Sequence, residues 1–226
     1  MSRLAIATLA ALAAFAPGAL GAPGLAGRIE GNVYHAANGT YEMDVPVLPE
    51  LGGVVSDTEN VVTFEDNFST HVSVAAFPQD AAQRWQLTTR GLKDYLGYFF
   101  TEFVLRDFKA AYKDASVEPG GGYAPKLLGG ALFAYVLLPG GSMFANRIPV
   151  VTPDWKPPVA KRGNLLFVRN GCIVVISMEL AERAVEGSAY HRTVAEEDAL
   201  LHARLVAIAG RIRINPNVAL PADSRK

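Results

Sequence analysis

The strongest pattern of apolar and polar positions lies between residues 163 and 180, where two apolar runs flank Asn170 and Gly171. Asn-Gly between strand-forming runs predicts a two-residue hairpin, because a type I′ turn requires a positive φ at both central residues. This turn sets the pairing and places Arg169 opposite Cys172. Both faces of the predicted hairpin are apolar, whereas a solvated antiparallel sheet alternates. We therefore expect other elements to cover both faces.

Two helical patterns supply that cover. A period typical of a helix begins at Gln79, with Trp85 and Leu87 in its first turns, is interrupted at Gly91, and continues over about twenty residues. A second helix is predicted after the capping box of Thr193 and Glu196, with Gly210 as a left-handed glycine at its end. The apolar stripes comprise Leu92, Leu96, Phe99 and Phe103 in the first helix and Leu201, Leu205, Ile208 and Ile212 in the second.

Short strands account for much of the remainder. Partial alternation predicts strands at 32–35, 40–45, 54–58, 60–65 and 70–77. A strongly apolar strand is predicted at 131–138, and a short terminal strand after Gly210. The glycine run at 120–122 is interpreted as a loop, since no phosphate-binding context surrounds it. Four prolines within 144–162 predict an irregular stretch there.

The order of these elements predicts an α+β fold with a central antiparallel β-sheet covered by helices on both faces, an α/β/α sandwich. The strands at 131–138 and 165–180 belong in the middle of the sheet, and the weakly alternating N-terminal strands lie toward an edge. We expect a single globular domain over residues 22–214 and a flexible tail over 215–226.

Residues 1–21 have the features of a signal peptide. Arg3 precedes a twelve-residue apolar run at 4–15, and small residues at 19 and 21 favour cleavage before Ala22. The alternative is a retained anchor, but prolines and glycines from Pro17 onward and a short apolar core argue against it. Cleavage removes Arg3 alone from 21 basic side chains, which leaves 20 against 22 acidic ones and a net charge of −2. We expect a periplasmic or secreted protein without a stable membrane span after processing.

Composition excludes several classes of protein. The 226 residues are 50% hydrophobic and 19% charged, with a net charge of −1, so neither general disorder nor nucleic-acid binding is expected. Cys172 is the single cysteine, and no internal disulfide is possible. On an apolar hairpin it is predicted to be a small buried side chain. A reactive thiol is the alternative.

No motif predicts catalysis, a cofactor or a metal. The four histidines are scattered, and Ser142 does not lie in a nucleophile elbow. The acidic residues 196–198 lie near His191, but they are expected to stabilise the start of the last helix. Paired carboxylates of a hydrolase leave no local signature, so that alternative stays open.

The candidate binding residues are Asp154, Trp155 and Lys156, which lie among prolines in the irregular stretch. The prolines hold the backbone extended and reduce the entropy lost on binding, and tryptophan is frequent at interface hot spots. The alternative is that Trp155 folds back over the end of the sheet.

A glycine, an alternating strand and a proline follow one another in Gly39-Thr-Tyr-Glu-Met-Asp-Val-Pro46. Together with the helix and Ile-rich strand of 193–214, this pattern resembles the PsbP-like superfamily over residues 32–214. The resemblance implies an α+β fold and a non-enzymatic accessory or binding role.

These features favour an exported, non-enzymatic binding or accessory protein of the bacterial-type cell envelope, whose partner is another envelope or secreted protein. Two alternatives remain: a periplasmic immunity or inhibitor protein, and a hydrolase without a recognisable motif.

Overall fold

The computed structural model describes residues 24–145 and 158–217. Their strands are β1 (Arg28–Glu30), β2 (Val33–His35), β3 (Tyr41–Asp44), β4 (Val54–Asp57), β5 (Val61–Glu65), β6 (His71–Pro78), β7 (Ser116–Ala124), β8 (Ala131–Pro139), β9 (Val159–Arg169), β10 (Cys172–Glu179) and β11 (Ile212–Ile214). The helices are α1 (Ala81–Arg90), α2 (Leu92–Phe99), α3 (Arg106–Ala111), α4 (Glu182–Val185) and α5 (Val194–Ala209). A π-helix, Phe100–Leu105, joins α2 to α3, and short 3-10 turns form at Pro49–Leu51 and Gly187–Ala189.

A seven-stranded antiparallel sheet forms the centre of the fold, in the order β4-β5-β6-β10-β9-β8-β7. The predicted hairpin is confirmed, because Arg169 pairs with Cys172 and the register continues from there along β9 and β10. Asn170 and Gly171 both have positive φ angles, 49° and 73°, as the type I′ turn requires. Cys172 is fully buried, in agreement with its predicted place in the core.

Helices α1 to α3 cover one face of this sheet. The predicted long helix is confirmed, with an interruption at Gly91, whose φ is 76°. Tyr95 and Leu96 are buried in the same cluster as Ile173 and Val175 of β10. The apolar stripe therefore packs on the hairpin, and the α+β prediction holds for this face.

The second face is covered by α5 together with a small sheet of order β1-β2-β3-β11. The helix approaches the strands closely at Gly163, where an added Cβ would lie 2.9 Å from Leu205 Cδ1. In the small sheet the hydroxyl of Tyr41 donates to the carbonyl of Val74, over 3.2 Å. The sequence pattern predicts the helix on this face, but it does not predict the small sheet that covers the rest of the face.

Several local predictions are wrong. The glycine run belongs to β7, which pairs with β8 alone among the described strands and whose register shifts between Glu118 and Gly122. A bulge on an edge strand tolerates glycine and proline, because pairing is required on one side only. Strand β9 begins at Val159, inside the stretch predicted to be irregular. Gly210 has a φ of −66° rather than a left-handed conformation.

The N-terminal strands are only partly peripheral. Strands β4 and β5 lie at one edge of the central sheet, as predicted, whereas β6 lies inside it beside β10. No helix in the described part of the chain combines the length and the apolar character needed to cross a membrane. The predicted signal peptide, residues 1–21, and most of the predicted tail lie outside the described residues.

Candidate functional site

The predicted binding residues Asp154, Trp155 and Lys156 lie outside the described residues, so they stay a prediction. The described residues that flank them, 142–145 and 158–163, lie beside the same end of the central sheet. Two buried cations, Lys161 and Arg162, follow one another in β9 at that end. They were missed in the sequence, where they fall in the proline-rich stretch.

Lys161 is the centre of a buried ionic cluster. Its ammonium group lies 3.0 Å from Glu197 Oε2 and 2.6 Å from Asp198 Oδ1, and it also contacts Glu118 of β7. The lysine side chain is 0% exposed and that of Glu197 is 2% exposed. Strand β9, strand β7 and the first turn of α5 therefore meet at one cation, which ties the sheet edge to the helix.

The environment keeps Lys161 protonated. Burial by itself lowers the pKa of the lysine, but hydrogen bonds to Asp198, Glu118 and Glu197 outweigh burial and raise the pKa above its ordinary value. Glu197 has a second cation, because Arg183 Nε lies 3.0 Å from its Oε1. Tyr190 donates its hydroxyl to the same carboxylate. Two cations and three carboxylates therefore offset most of one another's charge inside the protein.

Arg162 leaves β9 on the opposite face, toward α3. Its guanidinium carbon lies 6.0 Å from the centre of the Phe108 ring, and Nη2 lies 3.5 Å from Glu179 Oε2. Glu179 in turn accepts from the Ser142 hydroxyl at 2.6 Å and from the Met143 amide at 3.0 Å. Ser142 is therefore bound to a carboxylate that already has a cationic partner, which is an arrangement for holding the backbone rather than for activating a nucleophile.

The remaining sequence candidates are dispersed. The ring of His202 stacks on Phe133 with centroids 4.2 Å apart, and His35 lies between two glutamates of the small sheet. Of the acidic residues 196–198, Glu196 caps the helix as expected, whereas Glu197 and Asp198 bind Lys161 instead. Burial raises the pKa of Cys172 to about 11, so its thiol is protonated at neutral pH. Within residues 24–145 and 158–217, no group of three or more His, Cys, Asp or Glu side chains is arranged to hold a metal ion.

Two cavities are lined by charges that already have partners. One, of about 370 Å³, lies beside the ionic cluster, and its Arg183 and Arg192 pair with Glu197 and Glu186. The other, of about 420 Å³, lies on the small sheet, where Arg213 bonds to two carboxylates. In the first cavity, Arg183 Nη1 is buried and has no hydrogen-bond partner among the described residues.

Helix α1 differs from the other long helices because none of its ten residues is buried. Trp85, which the helical pattern places in the first turns of this helix, is 62% exposed. Arg90, at the end of α1, lies at the rim of a groove of about 530 Å³ between α2 and β7. Tyr98 and Tyr123 line this groove from the helix and the strand. An exposed tryptophan and an open groove lined by aromatic side chains are each typical of a recognition surface.

No protein-family model matches the chain. No curated protein matches it in sequence either. Among solved structures, the Synechocystis PsbP protein CyanoP is similar over 88% of this chain and 98% of its own, at 14% identity and a TM-score of 0.44. The Saccharomyces cerevisiae Ran-binding protein Mog1p is similar over 80% of this chain and 94% of its own, at 13% identity and a TM-score of 0.39. A Bacteroides thetaiotaomicron protein is similar over 84% of this chain at 10% identity and a TM-score of 0.39, and this chain spans only half of its length.

Proposed function

We propose that the protein is an exported, non-enzymatic binding or accessory protein that acts through a protein partner in the cell envelope. The observation that carries this proposal is helix α1, a ten-residue helix without a buried side chain, on which Trp85 is 62% exposed. An apolar side chain of this size exposed to water costs free energy that contact with a partner recovers. Tryptophan is enriched among residues that dominate binding energy.

The pairing of the buried ionisable groups supports a binding role over catalysis. Lys161 is held by three carboxylates, and Ser142 donates to a carboxylate that has a cationic partner. A catalytic nucleophile needs a base that is free to take its proton and a space in which a substrate atom fits. In the described residues these groups instead join strands to helices and fix the backbone beside them.

Export rests on the sequence of residues 1–21. The experiment is mass measurement of the chain recovered from the envelope fraction of a producing bacterium. We expect a chain that begins at Ala22. A full-length chain recovered only with membranes would contradict the export part of the proposal.

Partner binding is tested by replacing Trp85 with alanine. Because α1 has no buried side chain, we expect the free energy of unfolding to change by no more than about 0.5 kcal/mol, while capture of partners from native envelope extract weakens strongly. Thr89→Ala, an exposed change on the same helix, is the matched control and should capture as the parent does. Equal capture by Trp85→Ala and the parent would count against α1 as the recognition surface.

A further inference from the structure

The groove beside α1 has a cationic rim. Arg90 and Lys93 line it, and neither forms an ion pair with any residue that the structure describes. The Arg90 guanidinium lies 4.6 Å from the centre of the Tyr98 ring, and its Nε donates to Gln86 Oε1 over 2.5 Å. The ring and the amide hold the arginine in place while its charge stays available to a carboxylate from outside.

The floor of the groove is apolar and open. Tyr98, Tyr123 and Leu132 line it and are half-buried. Gly97 of α2 and Gly122 of β7 lie on its two sides, and a Cβ added at either position would meet no atom within 4 Å. Side chains at these two positions would narrow the groove, so their absence leaves room for a side chain of a partner.

The groove has a defined length along the helix. Its acidic end is Glu102, within the π-helix, nine positions after Lys93. At 1.5 Å per residue this separation is about 13 Å, the length of about four residues of extended chain. Local π-helices occur frequently at functional sites. The remaining acidic residue, Asp94, lies in the first turn of α2, where the helix dipole offsets its charge.

We propose that this groove binds a short extended segment of a protein partner. A carboxylate of the segment lies against Arg90 and Lys93, and an apolar side chain lies between Tyr98 and Tyr123. Charge complementarity at the Arg90–Lys93 end indicates the occupant, because two cations beside the apolar floor match a carboxylate next to an aliphatic or aromatic residue. Asp94 and Glu102 balance these two charges over the groove as a whole, so we expect one carboxylate of the segment, at that end, to make the ionic contact. The inference rests on the proposed function and narrows the partner to one chemistry.

The test uses the full processed chain and, as its probe, a phage-displayed library of random twelve-residue peptides. We expect selected peptides to carry Asp or Glu close to an aromatic or aliphatic residue. Reversing both charges, Arg90→Glu with Lys93→Glu, should weaken their binding about tenfold or more, and added salt should reduce that difference. Lys109→Glu, an exposed change outside the groove, is the control and should bind as the parent does.

A second variant blocks the groove without removing a charge. Gly97→Leu places a side chain in the open space, and leucine is a better helix former than glycine, so the variant should fold at least as stably as the parent. It should nevertheless lose peptide binding. Selected peptides that bind Gly97→Leu or the charge-reversed variant as tightly as the parent would overturn the inference.

Capture of the native partner from envelope extract tests this inference separately from the proposed function on which it rests. Capture from envelope extract that weakens in both groove variants supports the inference. Capture that is unchanged in both variants but lost in Trp85→Ala upholds a partner-binding function and overturns the groove as its site. Peptides that bind the parent groove, in a protein that captures no partner from extract, uphold the groove chemistry and overturn the proposed function.

Discussion

Replacing Lys161 with methionine removes the ammonium group on which Glu118, Glu197 and Asp198 converge. Methionine keeps a flexible apolar stem of similar length, so the charge is lost while most of the packing is retained. Removing one partner of a buried ion pair costs about 3–5 kcal/mol, because uncompensated charge stays in the interior. The side chains of Glu118 and Asp198 keep 13% and 16% exposure and can be partly hydrated. We therefore expect a loss of about 3 kcal/mol.

The assay is equilibrium unfolding in urea at pH 7. Lys126 is exposed and forms no ion pair with a described residue, so Lys126→Met is the matched control and should stay within about 0.5 kcal/mol of the parent. A triple variant that adds Glu118→Gln and Asp198→Asn to Lys161→Met should recover much of the loss, since fewer unpaired charges remain. If Lys161→Met unfolds at the same urea concentration as Lys126→Met, the cluster does not stabilise the fold and the reasoning is refuted.

Three further predictions concern single positions. Gly171→Val should lose about 2 kcal/mol, because a β-branched residue is strained at a φ of 73°; an unchanged urea midpoint would contradict the turn. Cys172→Ala should be less stable than the parent at pH 7, and this difference in stability should narrow between pH 9 and about 11. The pKa of the buried thiol is raised to about 11, so its contribution to stability is complete below pH 9 and is lost as the pH rises. A difference in unfolding midpoints that stays constant over this pH range would argue against it. Gly120→Ala should lower the free energy of unfolding by about 2 kcal/mol, because its φ is 132° and the added Cβ would lie 2.1 Å from Asp198 Oδ2. Gly122→Ala, where the added Cβ meets open space, should stay within about 0.5 kcal/mol of the parent. Similar urea midpoints for the two variants would show that Asp198 moves aside freely.

Local signals predicted the parts of the fold that depend on neighbouring residues. The Asn-Gly turn determined the pairing of β9 with β10 because side-chain orientation alternates strictly from a two-residue turn. The capping box of Thr193 and Glu196 placed the start of α5 within one residue. The small sheet could not be predicted in the same way. Its strands have three or four residues each, and Met43 pairs with Ile212 near the other end of the chain.

The candidate site depends on contacts between distant segments, which sequence spacing does not record. Lys161 pairs with carboxylates of β7 and α5, and nothing in the sequence pattern around those residues distinguishes them from solvent-exposed acidic residues. Periodicity placed Trp85 in the first helix but did not predict that its side chain is 62% exposed, because periodicity shows which residues share a face and not whether that face is covered. The sequence held one signal of this charged cluster: two consecutive cations, Lys161 and Arg162, at the start of an apolar strand.

Lys161 and Arg162 also affect how the chain finds its strand pairing during folding. From Leu165 to Val168 and from Cys172 to Ile176 the two strands are apolar on both faces, so a pairing displaced by one residue would still bury hydrophobic side chains there. Such a displacement would turn Lys161 toward α3 and Arg162 toward α5, each away from its carboxylates. Two uncompensated charges in the interior would cost several kcal/mol, a penalty that the apolar residues alone would not impose. The two cations of β9 thus disfavour intermediates in which the strands pair out of register. If both were replaced by apolar residues, we expect misfolded states to compete with the native state, even where the native state itself remains stable.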